Sequence, residues 1–452
     1  MEQNLADKTD AAEATGFRFS GATRRAGPVL VVLIAGAAMW VYVLTMWPSY
    51  LEKLSDLYPR WYGARELLLY HRDPYSQGVS GDIQHWIFGR PAHPGEDQGR
   101  FAYPVYVSFL LGPTVYLDFS SANTLMFWLL LLLGAASVVG FGWFVGWPRS
   151  NIALLLLVLL CACSYPIAFA ARLRQLSLLV AVLLAAALFL ISRNRLLPAG
   201  ALLALATIKP QLVVLLAPWL LLWTVANWGR RQHLFWSFAI SLAFLSLASE
   251  ILVPGWIPEF VRSISSYTQY THAASILDFL LSSRIGMIAA VLLVGLLALQ
   301  CWQLRSYEPD SRQFIFATAL VLAVTLVVIP TLAPHGQVLL IPGVFLLFQA
   351  KNLLWKRSRL YRDALLGAGV IVGWPWAGAI GFSALAVLGF GVERRLWLVP
   401  ASTVPLTPLA VALALLLCRK PILAFCSPAR KAGGIAGEER SLNRFVAGRP
   451  ER

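Results

Sequence analysis

Charge is what this chain has least of. Asp, Glu, Lys and Arg together make 13% of its 452 residues, against 58% hydrophobic ones. A soluble domain carries about a quarter charged residues, so an ordinary soluble fold is excluded. Apolar runs near the length that a helix needs to cross a bilayer recur along the whole chain, which reads as an all-α, polytopic integral membrane protein. Acids are scarcer than bases, 22 against 37, for a net charge of +15. Basic loops on the cytoplasmic side of a membrane account for that excess, and no nucleic-acid partner is expected. Cysteine is rare too. Cys161, Cys163, Cys301, Cys418 and Cys426 have neither metal nor disulfide-framework spacing. No D-x-D, G-x-x-x-x-G-K-[ST], G-x-G-x-x-G or H-E-x-x-H occurs. A nucleotide-dependent cytoplasmic catalyst therefore lacks its usual motifs, and neither a metal nor another cofactor is expected. The first apolar run, about 28–47, has no small-x-small cleavage site before the polar loop, so it is read as a span rather than a signal peptide. With no targeting tail evident, the expected location is a bacterial plasma (inner) membrane.

About twelve candidate spans can be drawn: 28–48, 122–146, 151–168, 175–191, 196–208, 210–227, 233–253, 285–303, 313–331, 336–350, 364–386 and 402–418. Arg18, Arg24 and Arg25 precede the first, so residues 1–27 form a cytoplasmic tail and the loop 49–101 lies outside. The later basic clusters (Arg149; Arg193 and Arg195; Arg230 and Arg231; Arg305 and Arg312; Lys351 to Arg362) fall inside if Tyr103–Leu117, bracketed by Pro104 and Pro113, is re-entrant or interfacial. At about 1.5 Å per residue that segment is short for a crossing. The membrane domain is then 28–418, with a basic cytoplasmic tail at 419–452.

This topology gathers the unusual polar residues on the outer side. They lie in "EKLSDLYPRWYGARELLLYHRDPYS" (52–76), "ARLRQLS" (171–177), "TIKPQ" (207–211) and "APHGQ" (333–337), together with His71, His85, His93, His272 and His335. Apolar and aromatic residues at 57, 58, 61, 62, 68 and 69 suggest a surface helix lying flat on the membrane. Asp56 would then be a helix cap, an i,i+4 partner of Arg60, or a base. Lys209, between two short apolar segments, must snorkel outward or meet an anion. Arg172 and Arg174 would anchor lipid headgroups or, with Lys209, clamp a phosphate. Gln175 opens the following helix, and His335 follows Pro334 at another outer helix start.

Taken in order, these segments resemble glycosyltransferase family 87. An Asp after the first span (Asp56), "YPRWYGAREL" and "HRDPYS" look like its start. "FAYPVYVSFLLGP" is similar to its Y-P-P segment. "RLRQLSLLVAVLLAAALFL" resembles its G-Q-x-N-x-L helix, "LPAGALLALATIKPQLVVLL" its K-P segment, and "TLAPHGQVLLIPG" its late P-H segment. The chain departs at Val105, where the family has a second proline, at Arg174, where glycine is usual, and at Ser177, where asparagine is common. It also has no acidic residue near His335.

The resemblance implies a GT-C membrane fold and an inverting transferase. A sugar, most readily mannose, would pass from a polyprenyl-phosphate donor to a lipid or glycan acceptor on the extracytoplasmic face. Asp56 would be the general base. Lys209, Gln175 and Arg172 would bind the donor phosphate. His335, Arg60 and Tyr103 would line the cavity. The competing readings are a lipid-linked-sugar flippase or solute transporter, which would place polar groups mid-span and often carry internal repeats, and a scaffold without activity.

Overall fold

The computed structural model describes residues 21–46, 55–147, 152–270, 274–390 and 398–424. The N-terminal tail up to residue 20, Glu52 and Lys53, Arg149, His272, Cys426 and the C-terminal tail beyond 424 lie outside the described residues. Among the described residues the chain is all helix, with no strand. In order the α-helices are α1 Gly21–Met46, α2 Tyr58–Tyr70, α3 Gln77–Phe88, α4 Val107–Leu111, α5 Phe119–Phe144, α6 Ile152–Ala162, α7 Tyr165–Arg172, α8 Ser177–Ser192, α9 Leu196–Ala206, α10 Pro210–Val213, α11 Leu216–Val225, α12 Trp228–Leu252, α13 Trp256–Tyr270, α14 Ile276–Leu281, α15 Ser283–Leu304, α16 Arg312–Val328, α17 Ile341–Arg357, α18 Arg359–Val387, α19 Thr407–Leu417 and α20 Arg419–Ala424. The first helix thus begins inside the expected N-terminal tail, and α20 occupies the start of the C-terminal one.

Among the described residues each apolar segment expected to span carries helix, but helix length singles out fewer than twelve crossings. Among the described residues six helices are long and apolar enough to cross a membrane alone, or seven if α6 and α7, bent by 47° at their junction, count as one. The others are short. A 16-residue helix such as α8 is about 24 Å long, under the ~30 Å of a hydrocarbon core. The cause is local chemistry. Pro166, Pro210 and Pro334 sit at helix starts, where a ring without an N–H is tolerated but cannot continue a preceding helix. Broken, short helices bring backbone ends and polar side chains into the bundle interior, where membrane proteins build their sites. Tyr103–Leu117 is shorter still as a helix, five residues of α4 followed by a 3-10 turn at Gly112–Thr114.

The core forms around α16, whose residues from Phe314 to Val327 are all buried. A helix apolar on every face belongs in such a position. Of its two hydroxyls, Thr318 accepts a hydrogen bond from the Trp219 indole at 3.0 Å and Thr325 donates to the Val321 carbonyl. α5 packs on α8, α8 on α9, α9 on α12 and α1 on α18. The α9–α12 approach depends on Gly200: a Cβ there would stand 2.7 Å from the Leu234 carbonyl oxygen and from the Phe238 nitrogen. In the first turn of α12, Arg231 was expected among the basic residues of an inner loop. It is instead buried, donating to the carbonyls of Trp223, Arg305, Ser306 and Tyr307, with its guanidinium 4.0 Å from the Trp223 ring centroid. It ties α11 and α12 to the α15–α16 connection.

The apolar residues of the expected surface helix pack on protein. α2 buries Tyr58, Trp61, Gly63, Ala64, Glu66 and Leu67, which point in several directions and pack against protein. Tyr58 stacks on Trp86 of α3 with ring centroids 3.6 Å apart and meets Phe119 of α5 edge-on. Trp61 donates its indole N–H to the Thr114 carbonyl. Aromatic pairs of this kind add about 0.5–1.5 kcal/mol beyond burial, so α2 and α3 form a wall docked on the bundle. "HRDPYS" closes that wall. His71 ends α2 in the left-handed region, Arg72 bridges Glu66 and Asp82, and Asp73 accepts from the Tyr75 backbone N–H. The Tyr75 hydroxyl then donates to the Tyr103 carbonyl at 2.6 Å.

Candidate active site

Four stretches distant in sequence meet where this wall joins the bundle. Asp56 precedes α2, Tyr103 follows α3, Gln175 precedes α8, and Lys209 sits in the break before α10. Each position has a local cause. A residue before proline is pushed toward extended backbone, and Lys209 at φ −124°, ψ 80° follows that rule. α7 ends on a Schellman-type cap: the Gln175 N–H donates to Ala170 O and the Arg174 N–H to Ala171 O. Such a cap requires a left-handed residue, and Arg174 supplies it at φ 55°. Glycine serves there without strain, whereas an L-residue pays roughly 1–2 kcal/mol. Arg174 gains hydrogen bonds from its guanidinium to the Asn123 and Arg172 carbonyls and a contact over the Phe127 ring. It is therefore a buried brace, and its cap sets Gln175 in place.

The resulting polar line is continuous. Lys209 is buried and donates from Nζ to Gln175 Oε1 at 2.6 Å and to Ser177 Oγ at 2.8 Å. Gln175 Nε2 in turn donates to the Asp56 carboxylate. With a cation on one side and a carboxylate on the other, only one orientation of the amide satisfies both. Asp56 does not cap α2, whose N-cap is Leu57 with no side-chain bond. Burial pushes the Asp56 carboxyl above the usual carboxylate range; Arg60, the Gln175 hydrogen bond and Lys209 oppose that rise, and Asp97 adds to it.

Two chambers open from this line. The larger, of roughly 250 Å³, is walled by Arg60, Tyr103, Gln175, Lys209 and His335 on its polar side. Its apolar side includes Phe260, Ile264, Leu326 and Ile329. The smaller, of about 60 Å³, holds Asp56, Asp97 and Arg100. Arg60, Ala102, Tyr103 and Tyr267 belong to both walls. The Arg60 guanidinium lies over the Tyr103 ring, 4.6 Å from its centroid. Arg60 Nε and Nη1 and the Tyr103 hydroxyl are buried without hydrogen-bond partners. Burial pushes the Tyr103 phenol up to about 12, so it remains a donor. A buried polar group left unpaired costs about 1–3 kcal/mol, so several at one cavity mark a place that a ligand completes.

Asp56, Arg60, Tyr103, Gln175, Lys209 and His335 all line one or other of these two adjoining chambers. Arg172 does not. It is half-buried at the end of α7, lines neither chamber, and offers its carbonyl to Arg174. The sequence reading missed α13, which contributes Phe260, Ile264 and Tyr267. Their i, i+4, i+7 spacing was the available signal. It also missed Asp97 and Arg100 in the loop after α3.

The protein-family model described as glycosyltransferase family 87 matches residues 101–330, just over half of the 452 residues. No curated protein and no solved structure matches the chain significantly. The matched stretch contains Tyr103, Gln175 and Lys209, while His335 lies just past its end and Asp56 and Arg60 lie well before its start. A match of that extent over the stretch that builds most of the cavity identifies the chain as a member of glycosyltransferase family 87.

Proposed function

We propose that the protein is an inverting, GT-C-type membrane glycosyltransferase. It moves a sugar, mannose in the first instance, from a polyprenyl-phosphate donor to a lipid or glycan acceptor on the extracytoplasmic face of the plasma membrane. The observation that carries this reading is the Asp56–Gln175–Lys209 line: a carboxylate and a buried cation held one amide apart on a cavity at the ends of membrane helices. Asp56 takes the proton of an acceptor hydroxyl. The acceptor oxygen bonds to the anomeric carbon as the bond from that carbon to the phosphate oxygen breaks. The lipid phosphate leaves with the bonding electron pair, and Lys209 and Arg60 stabilise its charge. Base and leaving group act on opposite faces of the sugar, which inverts the anomeric centre. The phosphate is held by fixed protein cations in this reading, with no metal assigned. The apolar flank of the larger chamber suits a lipid substrate entering from the bilayer.

The test is stereochemical. A polyprenyl-phosphate mannose of one defined anomeric configuration is supplied to membranes containing the protein, and the product linkage is typed with α- and β-specific mannosidases. A single linkage opposite to that of the donor is expected; retention would exclude the mechanism.

The pH profile offers a second check. A base acts only when deprotonated, so the acid limb of transfer follows the raised pKa of Asp56 and lies above the usual carboxylate range. Arg60 favours the ionised form, so Arg60→Gln moves the limb to higher pH. Asp97 disfavours it, so Asp97→Asn moves the limb to lower pH. Measuring kcat/KM against pH for the three proteins decides this, and shifts of the same sign would contradict it.

A further inference from the structure

The two chambers differ in what builds them. The larger is walled mainly by the interrupted ends of bundle helices: the Lys209 break, the C-terminal end of α16 and the 3-10 turn Pro334–Leu340. The smaller belongs almost wholly to the docked wall, from Ser55, Asp56, Pro59 and Arg60 through Ile87 to Asp97, Arg100 and Tyr103. An isoprenyl phosphate requires apolar surface beside a cation, which the larger chamber has. The smaller has the carboxylates of Asp56 and Asp97 and the guanidinium of Arg100 in its wall, and its volume admits the end of one sugar rather than a lipid.

The loop that carries Asp97 is tied down by its own bonds. Asp97 Oδ1 accepts from the Gly99 N–H at 2.9 Å. Gly99 adopts φ +60°, and a Cβ there would stand 2.7 Å from Ile83 Cγ2. Gln84 donates to the Gln98 carbonyl. The loop thus holds Asp97 in place, with Arg100 three residues further on in the same wall. A carboxylate that accepts from vicinal hydroxyls beside a guanidinium that donates to ring oxygens suits a neutral polyol. Sites built to bond hydroxyls reject analogues that lack them strongly.

Building on the transferase reading above, we propose that the smaller chamber is the acceptor subsite. It takes the hydroxyl-bearing sugar end of the acceptor, and Asp97 and Arg100 determine its specificity. The isoprenyl phosphate stays in the larger chamber, and the two substrates meet across the Arg60–Tyr103 septum beside Asp56.

Cysteine protection tests this without an activity assay. The full chain in lipid nanodiscs carries either Ile87→Cys, in the smaller chamber, or Gln211→Cys, in the larger. Each is modified with a charged methanethiosulfonate, and the unaltered protein reports background from the native cysteines. Methyl α-mannoside at saturation is expected to slow modification of Ile87→Cys about fivefold or more, by mass action, and to leave Gln211→Cys unchanged. Farnesyl phosphate should do the reverse. Adding Arg100→Ala or Asp97→Asn should raise the half-protecting mannoside concentration about tenfold, the loss expected for a charged hydrogen bond. Mannoside protection at Gln211→Cys instead, protection at neither position, or no effect of Arg100→Ala and Asp97→Asn would overturn the subsite. Failure of farnesyl phosphate to protect Gln211→Cys would count against the donor reading alone, and mannoside protection of Ile87→Cys would still support the subsite.

Discussion

Asp56→Asn is expected to lower glycosyl transfer about 10²–10⁴-fold, the usual contribution of a positioned general base, while the protein still inserts, folds and binds donor. The substitution keeps size and shape. The Asn carbonyl can still accept from Gln175 Nε2, so the polar line to Lys209 survives. Only the proton acceptor is lost. Asp56 neither caps α2 nor packs in an apolar cluster, so a fold defect is not expected to mimic the effect. Asp56→Glu separates position from charge: it keeps the carboxylate but advances it by one methylene, and a misplacement of about 1 Å can cost about 10²-fold. Equal thermal stability of the three proteins, with activity ordered Asp above Glu above Asn, is the expected pattern. Transfer by Asp56→Asn near the unsubstituted rate would remove the base assignment.

Lys209→Gln is the second large effect. Lys209 Nζ uses two of its protons on Gln175 and Ser177 and lies 5.8 Å from the Tyr103 ring centroid, on the wall of the larger chamber. In the proposed mechanism it faces the charge that develops on the leaving phosphate. Losing one such preorganised donor typically costs about 10²–10³ in rate. Gln can still bond Gln175 and Ser177, so the expected loss lies in kcat and in donor KM, with acceptor KM nearly constant. Lys209→Arg should not restore the rate. A planar guanidinium cannot reproduce the bonds of a compact ammonium, and the position is only 4% exposed. Steady-state kinetics with donor and acceptor varied separately read this split. A rise confined to acceptor KM would move Lys209 out of the phosphate site.

Much of this architecture is written in the sequence, for physical reasons that differ by element. The apolar segments and their breaks are legible because a bilayer demands long apolar helices and because Lys209–Pro210 and Ala333–Pro334 cannot continue one. Crossing numbers are less legible: apolarity alone does not separate a span such as α5 from a short helix buried within the bundle such as α9. Asp56 and Lys209 stand out from their surroundings in the sequence, but only the family resemblance joined them with Gln175 in one site, since the contacts that unite them span 119 and 34 residues. Arg172 and Arg174 look alike as a basic pair. Their roles part because one occupies the left-handed cap position and turns inward, a distinction set by backbone conformation. The apolar residues of α2 resemble a lipid-facing stripe in the sequence, and their packing on protein was not legible there because Trp86 and Phe119, which cover Tyr58, lie further along the chain.

The most direct measurement of the central claim is transfer by the purified protein in proteoliposomes. Radiolabelled polyprenyl-phosphate mannose is supplied together with lipid extract as the acceptor source. The account predicts label in an acceptor product, formed by the unsubstituted protein and lost with Asp56→Asn. Passage of labelled lipid or solute across the bilayer with no glycosyl product would contradict it and favour a transporter.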